Sequence, residues 1–267
     1  MSEELVKTNT SLDVGGAGLD FSSKLFRLKP ATLVINQGMT QVEGAVPGKL
    51  RVVETGEQFT KLTVAMLVMP KPWRGWYPGE KGKLNRVPEN LQCFSTDMIR
   101  PDTRAKNPQA LTCASCQYHS WNNTVTPAIP PECDEQYNAV FIDTETQLPL
   151  RMYIRGTSKK GFEAGMQNLA RTFKLLQAKG QKPNIFDISF DILTEKHKTK
   201  GGQISHVLKI DGKSMHKVSE VEKAKFGEIY LNYVNYGNNL EDSESPDEVV
   251  ESNKEIDQEV IDGEIVV

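Results

Sequence analysis

The chain of 267 residues has only four cysteines and no long apolar segment. Four cysteines are too few to cross-link a chain of this length into a disulfide scaffold. No run approaches the roughly 18 apolar residues of a membrane helix. The start, Met1-Ser2-Glu3-Glu4-Leu5, has neither the basic stretch nor the apolar block of a secretory signal. These absences predict a cytosolic protein with no membrane partner, and 38% hydrophobic with 25% charged residues is ordinary for a globular fold.

Nucleotide-binding and repeat motifs are also missing. The glycines at positions 15, 16 and 18 do not form a dinucleotide-binding fingerprint, because no strand pattern precedes them and no helix pattern follows. Residues 1–22, which contain these glycines with scattered serine and threonine, instead predict a flexible lead-in. No internal repeat is visible, and residues 23–238 are expected to form one domain.

Charge is divided unequally along the chain. Residues 241–267 contain eleven carboxylates and one cation, Lys254, for a net charge of about −10. Since the whole chain carries −3, the first 240 residues carry about +7. This segregation predicts a disordered acidic tail over residues 239–267. Two roles are open for it: a solubilising tail, or an internal polyanion that competes with nucleic acid for a cationic groove.

The middle of the chain predicts short strands, one or two helices and one long interruption. Apolar alternation predicts strands over 31–36, 49–54, 60–69, 139–143, 150–155, 186–192 and 204–210. Steps of three and four residues predict an amphipathic helix from Phe162 to Leu176, ending near Gly180. A second helix is expected to start at Ser219, which can form a capping box with Glu222. The pattern is typical of a mainly β fold with minor α content, a small closed antiparallel barrel with an insertion.

The long interruption, residues 70–131, holds three of the four cysteines, and the fourth follows at once. An irregular segment of that length requires something other than a hydrophobic core to order it. Cys113 and Cys116 have the spacing that lets two thiolates on one turn face a single ion. With Cys93 and Cys133 they would complete a closed tetrahedral site for one structural zinc ion, in an insertion over about 84–135. Two alternatives stay open: scattered reduced thiols, or His119 in place of one cysteine.

Cations and aromatic side chains are interspersed in the same region. Single-stranded nucleic acid is bound by cations that follow its backbone and by aromatic faces on which its bases stack. A strand over 150–155 would add a face with two cations and a tyrosine. Each tryptophan alone is also a common core residue, which is the competing interpretation. The candidate contacts are Trp73, Arg74, Trp76, Tyr77, Lys81, Lys83, Arg100, Arg104, Trp121, Arg151, Tyr153 and Arg155.

With these features the chain resembles bacteriophage single-stranded DNA-binding proteins. The resemblance rests on the four cysteines between predicted strands, on segment 148–158 leading into a basic helix, and on the acidic tail. It implies an oligonucleotide-binding (OB) barrel that carries a zinc-held insertion and coats single-stranded DNA with little sequence preference during replication or recombination. It also implies a tail that modulates binding and recruits replication partners, in the cytoplasm of an infected bacterial host. The chain departs from the family at its end, where Ile265-Val266-Val267 replaces the acidic and aromatic pair that often closes such tails.

A different class of function, a two-metal 3′→5′ exonuclease, is suggested by Phe141-Ile142-Asp143-Thr144-Glu145-Thr146. Its carboxylates would be Asp143, Glu145, Asp187 and Asp211, around two divalent ions. The spacing argues against it, because no helix pattern lies between the last two of these residues. The leading hypothesis is therefore a non-enzymatic protein that binds single-stranded DNA and has no small-molecule substrate. A zinc-ordered adaptor that binds a polymerase is a third possibility.

Overall fold

A computed structural model describes residues 29–38, 42–78, 90–120, 122, 124, 131–198, 202 and 204–237. The predicted lead-in and acidic tail lie outside these described residues. The fold is mainly β with two α-helices, α1 (Ser158–Ala178) and α2 (Glu220–Asn232). No helix in the described ranges is both long and apolar enough to cross a membrane. The strands are β1 (Ala31–Ile35), β2 (Leu50–Val52), β3 (Gln58–Phe59), β4 (Lys61–Met66), β5 (Lys71–Trp76), β6 (Cys93–Ser95), β7 (Asp134–Asp143), β8 (Pro149–Arg155), β9 (Ile188–Lys198) and β10 (Ile204–Lys217).

The ten strands form one open, mixed sheet. Its main path has the order β10-β9-β4-β7-β8-β1-β2-β3, while β5 pairs with the first half of β7 and with β6. The expected all-antiparallel arrangement is wrong at one pair, because β1 and β8 run parallel. These two strands are joined through all of β2 to β7 rather than by a hairpin, so the chain can enter both in the same direction. Closure into a barrel stays a prediction, since no pairing among the described strands joins β10 to β3.

Side chains nevertheless bridge the two ends of the sheet. Gln37, which follows β1, bonds both backbone groups of His206 in β10: its Nε2 donates to the carbonyl and its Oε1 accepts from the N–H, each at 2.9 Å. Thr194 in β9 donates its hydroxyl to the carbonyl of Gly48, just before β2. Gly48 has a φ of +81°, and a Cβ there would lie 2.5 Å from the His206 ring. The sheet therefore curls until its β1–β2 part touches the β9–β10 hairpin.

The inner face of the sheet packs against α1 and forms the main core. Phe162 and Leu169 of α1 are each 1% exposed and join apolar side chains from β1, β2, β4 and β7 to β10. α1 crosses β10 closely at Gly161, where a Cβ would lie 2.2 Å from the carbonyl oxygen of Leu208. The prediction of an amphipathic helix that ends near Gly180 is confirmed. Complete burial of such side chains stabilises the fold by roughly 1.5–3 kcal/mol each.

Of the described elements, α2 and the helical turn after it cover part of the outer face of the sheet. The predicted capping box is confirmed, since the Ser219 hydroxyl accepts from the Glu222 N–H at 3.2 Å and the Glu222 carboxylate accepts from the Ser219 N–H at 2.8 Å. Phe226 of α2 is fully buried against Val140 and Ile142 of β7. Toward the start of β7 this cover ends, and the side chains on β5 and at the end of β8 include partly exposed ones.

Two expectations about regular structure need correction. The interruption over residues 70–131 is not wholly irregular, because it contains β5 and β6. The predicted strand over 186–192 begins only at Ile188, since Ile185–Asp187 form a short 3-10 turn. The first half of β9, residues 188–192, is buried on both faces rather than one: Ser189 bonds the His216 Nε2 at 2.9 Å, and Asp191 accepts from the Thr63 hydroxyl at 2.7 Å. Its polar residues thus find partners inside the protein instead of in water.

Candidate metal centre and nucleic-acid interface

The four cysteines come from three separate pieces of local structure. Cys93 is the first residue of β6, and Cys133 directly precedes β7. Cys113 and Cys116 bracket a short 3-10 turn, in which the Cys116 N–H donates to the Cys113 carbonyl at 3.3 Å. That turn is capped by Thr112, whose hydroxyl accepts from the Ser115 N–H at 3.3 Å. All four cysteines carry free thiols.

One cavity brings all four cysteines together. It has a volume of about 20 Å³, room for a single ion or water, and its lining includes the four cysteines, His119 and Arg74. Within the ranges that the structure describes, no three histidine, cysteine, aspartate or glutamate side chains converge closely enough to hold an ion as they stand. The predicted ligands therefore share one cavity, and their side chains would have to turn toward a common point to bind a metal.

Arg74 is the cation of this cavity. Its side chain is 8% exposed, and its Nη2 donates to Glu135, whose other carboxylate oxygen accepts from Lys159 at the start of α1. Burial acts to raise the pKa of Glu135, but the bonds to Lys159 and Arg74 outweigh it and hold that pKa below its ordinary value. The Nε and Nη1 of Arg74 are buried and have no hydrogen-bond partner in the part of the chain that the structure describes. A buried donor without a partner costs free energy, so an anionic group in the cavity that accepted hydrogen bonds from Nε and Nη1 would stabilise the fold.

Two thiols of the cavity, those of Cys93 and Cys133, have raised pKa values. Burial raises the pKa of Cys133 far above its usual range, while Arg74 acts in the opposite direction. Burial also raises the pKa of Cys93, against a hydrogen bond from the backbone of Gln109. Metal binding requires thiolates and releases their protons, so a cation in the cavity would reverse this preference.

A patch on the outer face combines aromatic and cationic side chains. Strand register places Lys71, Asn138 and Tyr153 in one row across β5, β7 and β8. Trp73, Gln136 and Arg155 form the next row. Directly opposite residues share a face of the sheet, so both rows point outward, away from α1. Lys71 is exposed, Trp73, Asn138, Tyr153 and Arg155 are half-buried, and we call these five residues the aromatic patch.

Neighbouring residues hold the two rows of the aromatic patch in place. A Cβ at Gly75 would lie only 2.1 Å from the Trp73 ring, which therefore covers the bare backbone of that glycine. Arg155 donates from Nε to the side chain of Gln136 at 2.6 Å. The side-chain oxygen of Asn138 is buried without a hydrogen-bond partner. The patch thus has an indole ring held in one orientation and a guanidinium fixed by Gln136.

Four of the predicted contact residues are buried. Trp76 stacks on Tyr118 with ring centroids 4.5 Å apart, and its Nε1 donates to Glu132 at 3.3 Å. Tyr77 is 3% exposed, Arg151 is 6% exposed, and Arg74 lies in the cysteine cavity. Side chains buried in this way offer no face to a base, because their surfaces already contact protein.

The remaining predicted contacts divide between the insertion and undescribed segments. Arg100 and Arg104 are exposed; Arg104 binds Asp102 through Nε and Nη2, at 2.9 and 3.1 Å, and lies over the Phe94 ring. Lys81, Lys83 and Trp121 lie outside the described residues.

Sequence reasoning missed two members of the aromatic patch, Lys71 and Asn138. Lys71, Trp73 and Gly75 alternate with Pro72 and Arg74, which is the period of a strand. This alternation indicates a strand, but proline and glycine are uncommon inside strands and therefore pointed to a loop. Nothing in the local sequence marks Asn138, which joins the patch only through its pairing with β5 and β8.

No protein-family model, curated protein or solved structure matches the chain. Its function is therefore inferred from its own residues. The two features that bear on function are the cysteine cavity and the aromatic patch.

The carboxylates of the exonuclease hypothesis occupy separate local positions. Asp143 accepts from the Glu145 N–H at 3.1 Å and the Thr146 hydroxyl at 2.6 Å, as a turn-stabilising residue at the end of β7. Asp187 accepts from the Asn184 N–H at 2.9 Å and pairs with Lys223 at 3.3 Å. Asp211 accepts from the Lys213 N–H at 3.0 Å. Among the described residues no three acidic side chains gather in a cluster that could hold an ion.

Proposed function

We propose that the protein binds single-stranded DNA through the aromatic patch and holds one structural zinc ion in the cysteine cavity. The observation that carries the proposal is the pair of rows on β5, β7 and β8. Trp73 and Tyr153 offer partly exposed aromatic faces there, flanked by the cations of Lys71 and Arg155. Aromatic faces bind bases by stacking and cations follow the phosphates, so this surface has the chemistry of a binder with little sequence preference.

The shape of the sheet supports an OB-like barrel as the finer description of the fold. OB-folds are partly open barrels that bind oligonucleotides on a strand face. The side-chain amide of Gln37 bonds the backbone of His206 in β10, as a residue of a neighbouring strand would, and Thr194 bonds to Gly48. The two parts of the sheet therefore approach each other without continuous strand pairing. The aromatic patch lies on the convex outer face, away from the main core.

The chemistry of the cavity supports a structural metal centre. Four thiolates with one divalent ion carry a net charge of −2, and the unpaired donors of buried Arg74 border the place where that charge would lie. Cys93, Cys113, Cys116 and Cys133 would hold the ion and leave no open position, so the metal would order the insertion rather than catalyse a reaction. With four cysteine ligands, His119 lines the cavity but does not bind the ion.

The segregated charge supports a regulatory role for the tail. The first 240 residues have a net charge of about +7 and attract polyanions. Residues 241–267, with a net charge of about −10, can compete with DNA for the same surface. The recruitment of replication or recombination proteins by that tail belongs to the same proposal.

Titration of a labelled oligo-dT and of the matching duplex, at two salt concentrations, tests DNA binding. The wild-type protein should prefer the single strand, and Trp73→Ala or Tyr153→Ala should each weaken binding about 5- to 150-fold, the value of one stack. Lys71→Gln should reduce the salt dependence more than Lys174→Gln on α1, which removes the same charge away from the patch. Equal affinity for both DNA forms, with Trp73→Ala and Tyr153→Ala unaffected, contradicts the proposal. Addition of magnesium or manganese should leave the oligonucleotide intact, whereas shortening would favour the exonuclease.

Elemental analysis tests the metal centre independently. The purified protein should contain about one zinc ion per chain, and Cys113→Ser should lose it because a tetrahedral site requires all four ligands. Less than about a tenth of an equivalent of zinc, in protein purified without chelator, contradicts the proposed centre.

A further inference from the structure

Arg74 lies between the two strands that carry cysteines at the cavity. β5 is flanked by β6 and β7, and Arg74 pairs in register with Ser95 on one side and Glu135 on the other. Ser95 is two residues after Cys93, and Glu135 is two residues after Cys133. Because directly opposite residues share a face of the sheet, the guanidinium extends toward the cavity between both cysteines. Among the described residues, Arg74 is also the one arginine in the lining of this cavity.

The described residues place two cations beside one carboxylate at the edge of the cavity. Arg74 and Lys159 both bind Glu135, so two cations share one carboxylate. Among the described residues, no aspartate or glutamate lines the cavity that Arg74 borders. Nε and Nη1 of Arg74 are buried, and no described residue accepts a hydrogen bond from either of them. Guanidinium groups in proteins are donors only and accept no hydrogen bond, so only an acceptor in the cavity can satisfy these two N–H groups.

We propose that Arg74 donates hydrogen bonds from Nε and Nη1 to the sulfur of a metal-bound cysteine, Cys93 or Cys133, and thereby sets the affinity of the metal centre. The inference rests on the metal centre proposed above. Arg74 acts as a positioning residue through the ligands and does not itself contact the ion. Thiolate sulfur accepts such bonds, and a fixed positive charge offsets part of the −2 charge of a tetrathiolate centre. Outer-shell partners of this kind typically change metal affinity by about 10- to 100-fold.

Substitution of Arg74 tests the role of its charge and its geometry separately. Zinc affinity is measured by competition with a chromophoric chelator, and the ligand set is checked by the absorption spectrum of the cobalt-substituted protein. Arg74→Gln should weaken zinc binding about 10- to 100-fold while the spectrum still reports four thiolates. Arg74→Lys should be intermediate, because it keeps a charge and loses the rigid fork of donors. The control Arg171→Gln removes an arginine on the exposed side of α1 and should leave the affinity unchanged. Equal affinity of wild type and Arg74→Gln overturns the inference.

A measurement on the wild-type protein covers the case in which an Arg74 variant fails to fold. Protein labelled with nitrogen-15 at arginine and loaded with cadmium-113 should show a scalar coupling from the metal, through sulfur, to one arginine Nε proton. Absence of that coupling from a fully loaded protein overturns the inference and leaves the metal centre standing. A wild-type protein that binds neither zinc nor cadmium overturns both the centre and the role of Arg74.

Discussion

Replacement of Gly75 by alanine should disturb DNA binding without removing any group that contacts DNA. Gly75 lies two residues after Trp73 on the same face of β5, and the indole ring covers its backbone. An added Cβ would lie 2.1, 2.6 and 2.9 Å from three carbons of that ring, where ordinary contacts are 3.4–4 Å. The ring must therefore move by at least about 1 Å, since the backbone of a paired strand has less freedom than a half-exposed side chain.

The size of the effect follows from what the ring contributes. A stacked base is worth roughly 1–3 kcal/mol, so complete loss of the stack weakens binding about 5- to 150-fold. Gly75→Ala should fall within that range and should not exceed the effect of Trp73→Ala. Stability should change little, because alanine in a strand gains up to about 1 kcal/mol over glycine and the displaced ring offsets part of that gain.

Fluorescence anisotropy of labelled oligo-dT measures the affinity, and thermal unfolding measures the stability of the same samples. Gly227→Ala is the matched control: it adds the same methyl group to α2, where the nearest atom, in the Phe186 ring, is 3.9 Å away. It should leave binding unchanged and raise stability, because alanine favours helix over glycine. If Trp73→Ala weakens binding and Gly75→Ala does not, the orientation of the ring is irrelevant and the reasoning about the aromatic patch is refuted.

Three further predictions concern the fold and the tail. Gly161→Ala should destabilise the protein by about 1–3 kcal/mol in urea unfolding, because the new Cβ meets a backbone carbonyl of β10 at 2.2 Å; unchanged stability would show that α1 can move away freely. Burial acts to raise the pKa of Asp191, but hydrogen bonds from Lys61 and Thr63 outweigh it and hold that pKa below its ordinary value. The stability difference between wild type and Asp191→Asn should therefore be constant above about pH 5 and shrink as the pH falls through the lowered pKa of the folded state; a difference independent of pH contradicts this. Removal of residues 241–267 should tighten binding to single strands, and unchanged affinity would count against competition by the tail.

Local patterns in the sequence were sufficient for much of the fold. The strand that contains Phe141 and ends at Asp143 was predicted together with its hairpin partner, and the structure confirms both as β7 and β8. The helix predicted from Phe162 to Leu176 is confirmed, although it begins earlier, at Ser158, and the capping box at Ser219 is confirmed as well. These features depend on residues within a few positions of one another, so a single stretch of sequence contains the whole signal.

Long-range pairing explains what the sequence did not reveal. β5 contains a proline, a glycine and two cations, and it becomes a strand because β7, some sixty positions later in the chain, supplies its hydrogen-bonding partner. The same pairing turns Arg74 and Trp76 inward and Trp73 outward. Burial of Ser189 and Asp191 likewise depends on partners in β4 and β10 that no local pattern identifies.

By itself, the sequence determined the strand and helix periods, the caps, the cysteine spacing and the separation of a cationic body from an acidic tail. Only the tertiary structure decided that four cysteines share one cavity with Arg74, and that Trp73 and Tyr153 stand in neighbouring rows of one surface. The physical reason is that periodicity and capping arise from contacts between near neighbours in the chain. Strand register, and the face of the sheet on which a side chain lies, arise from contacts between residues far apart in the chain. The energies of those contacts depend on the whole arrangement of strands.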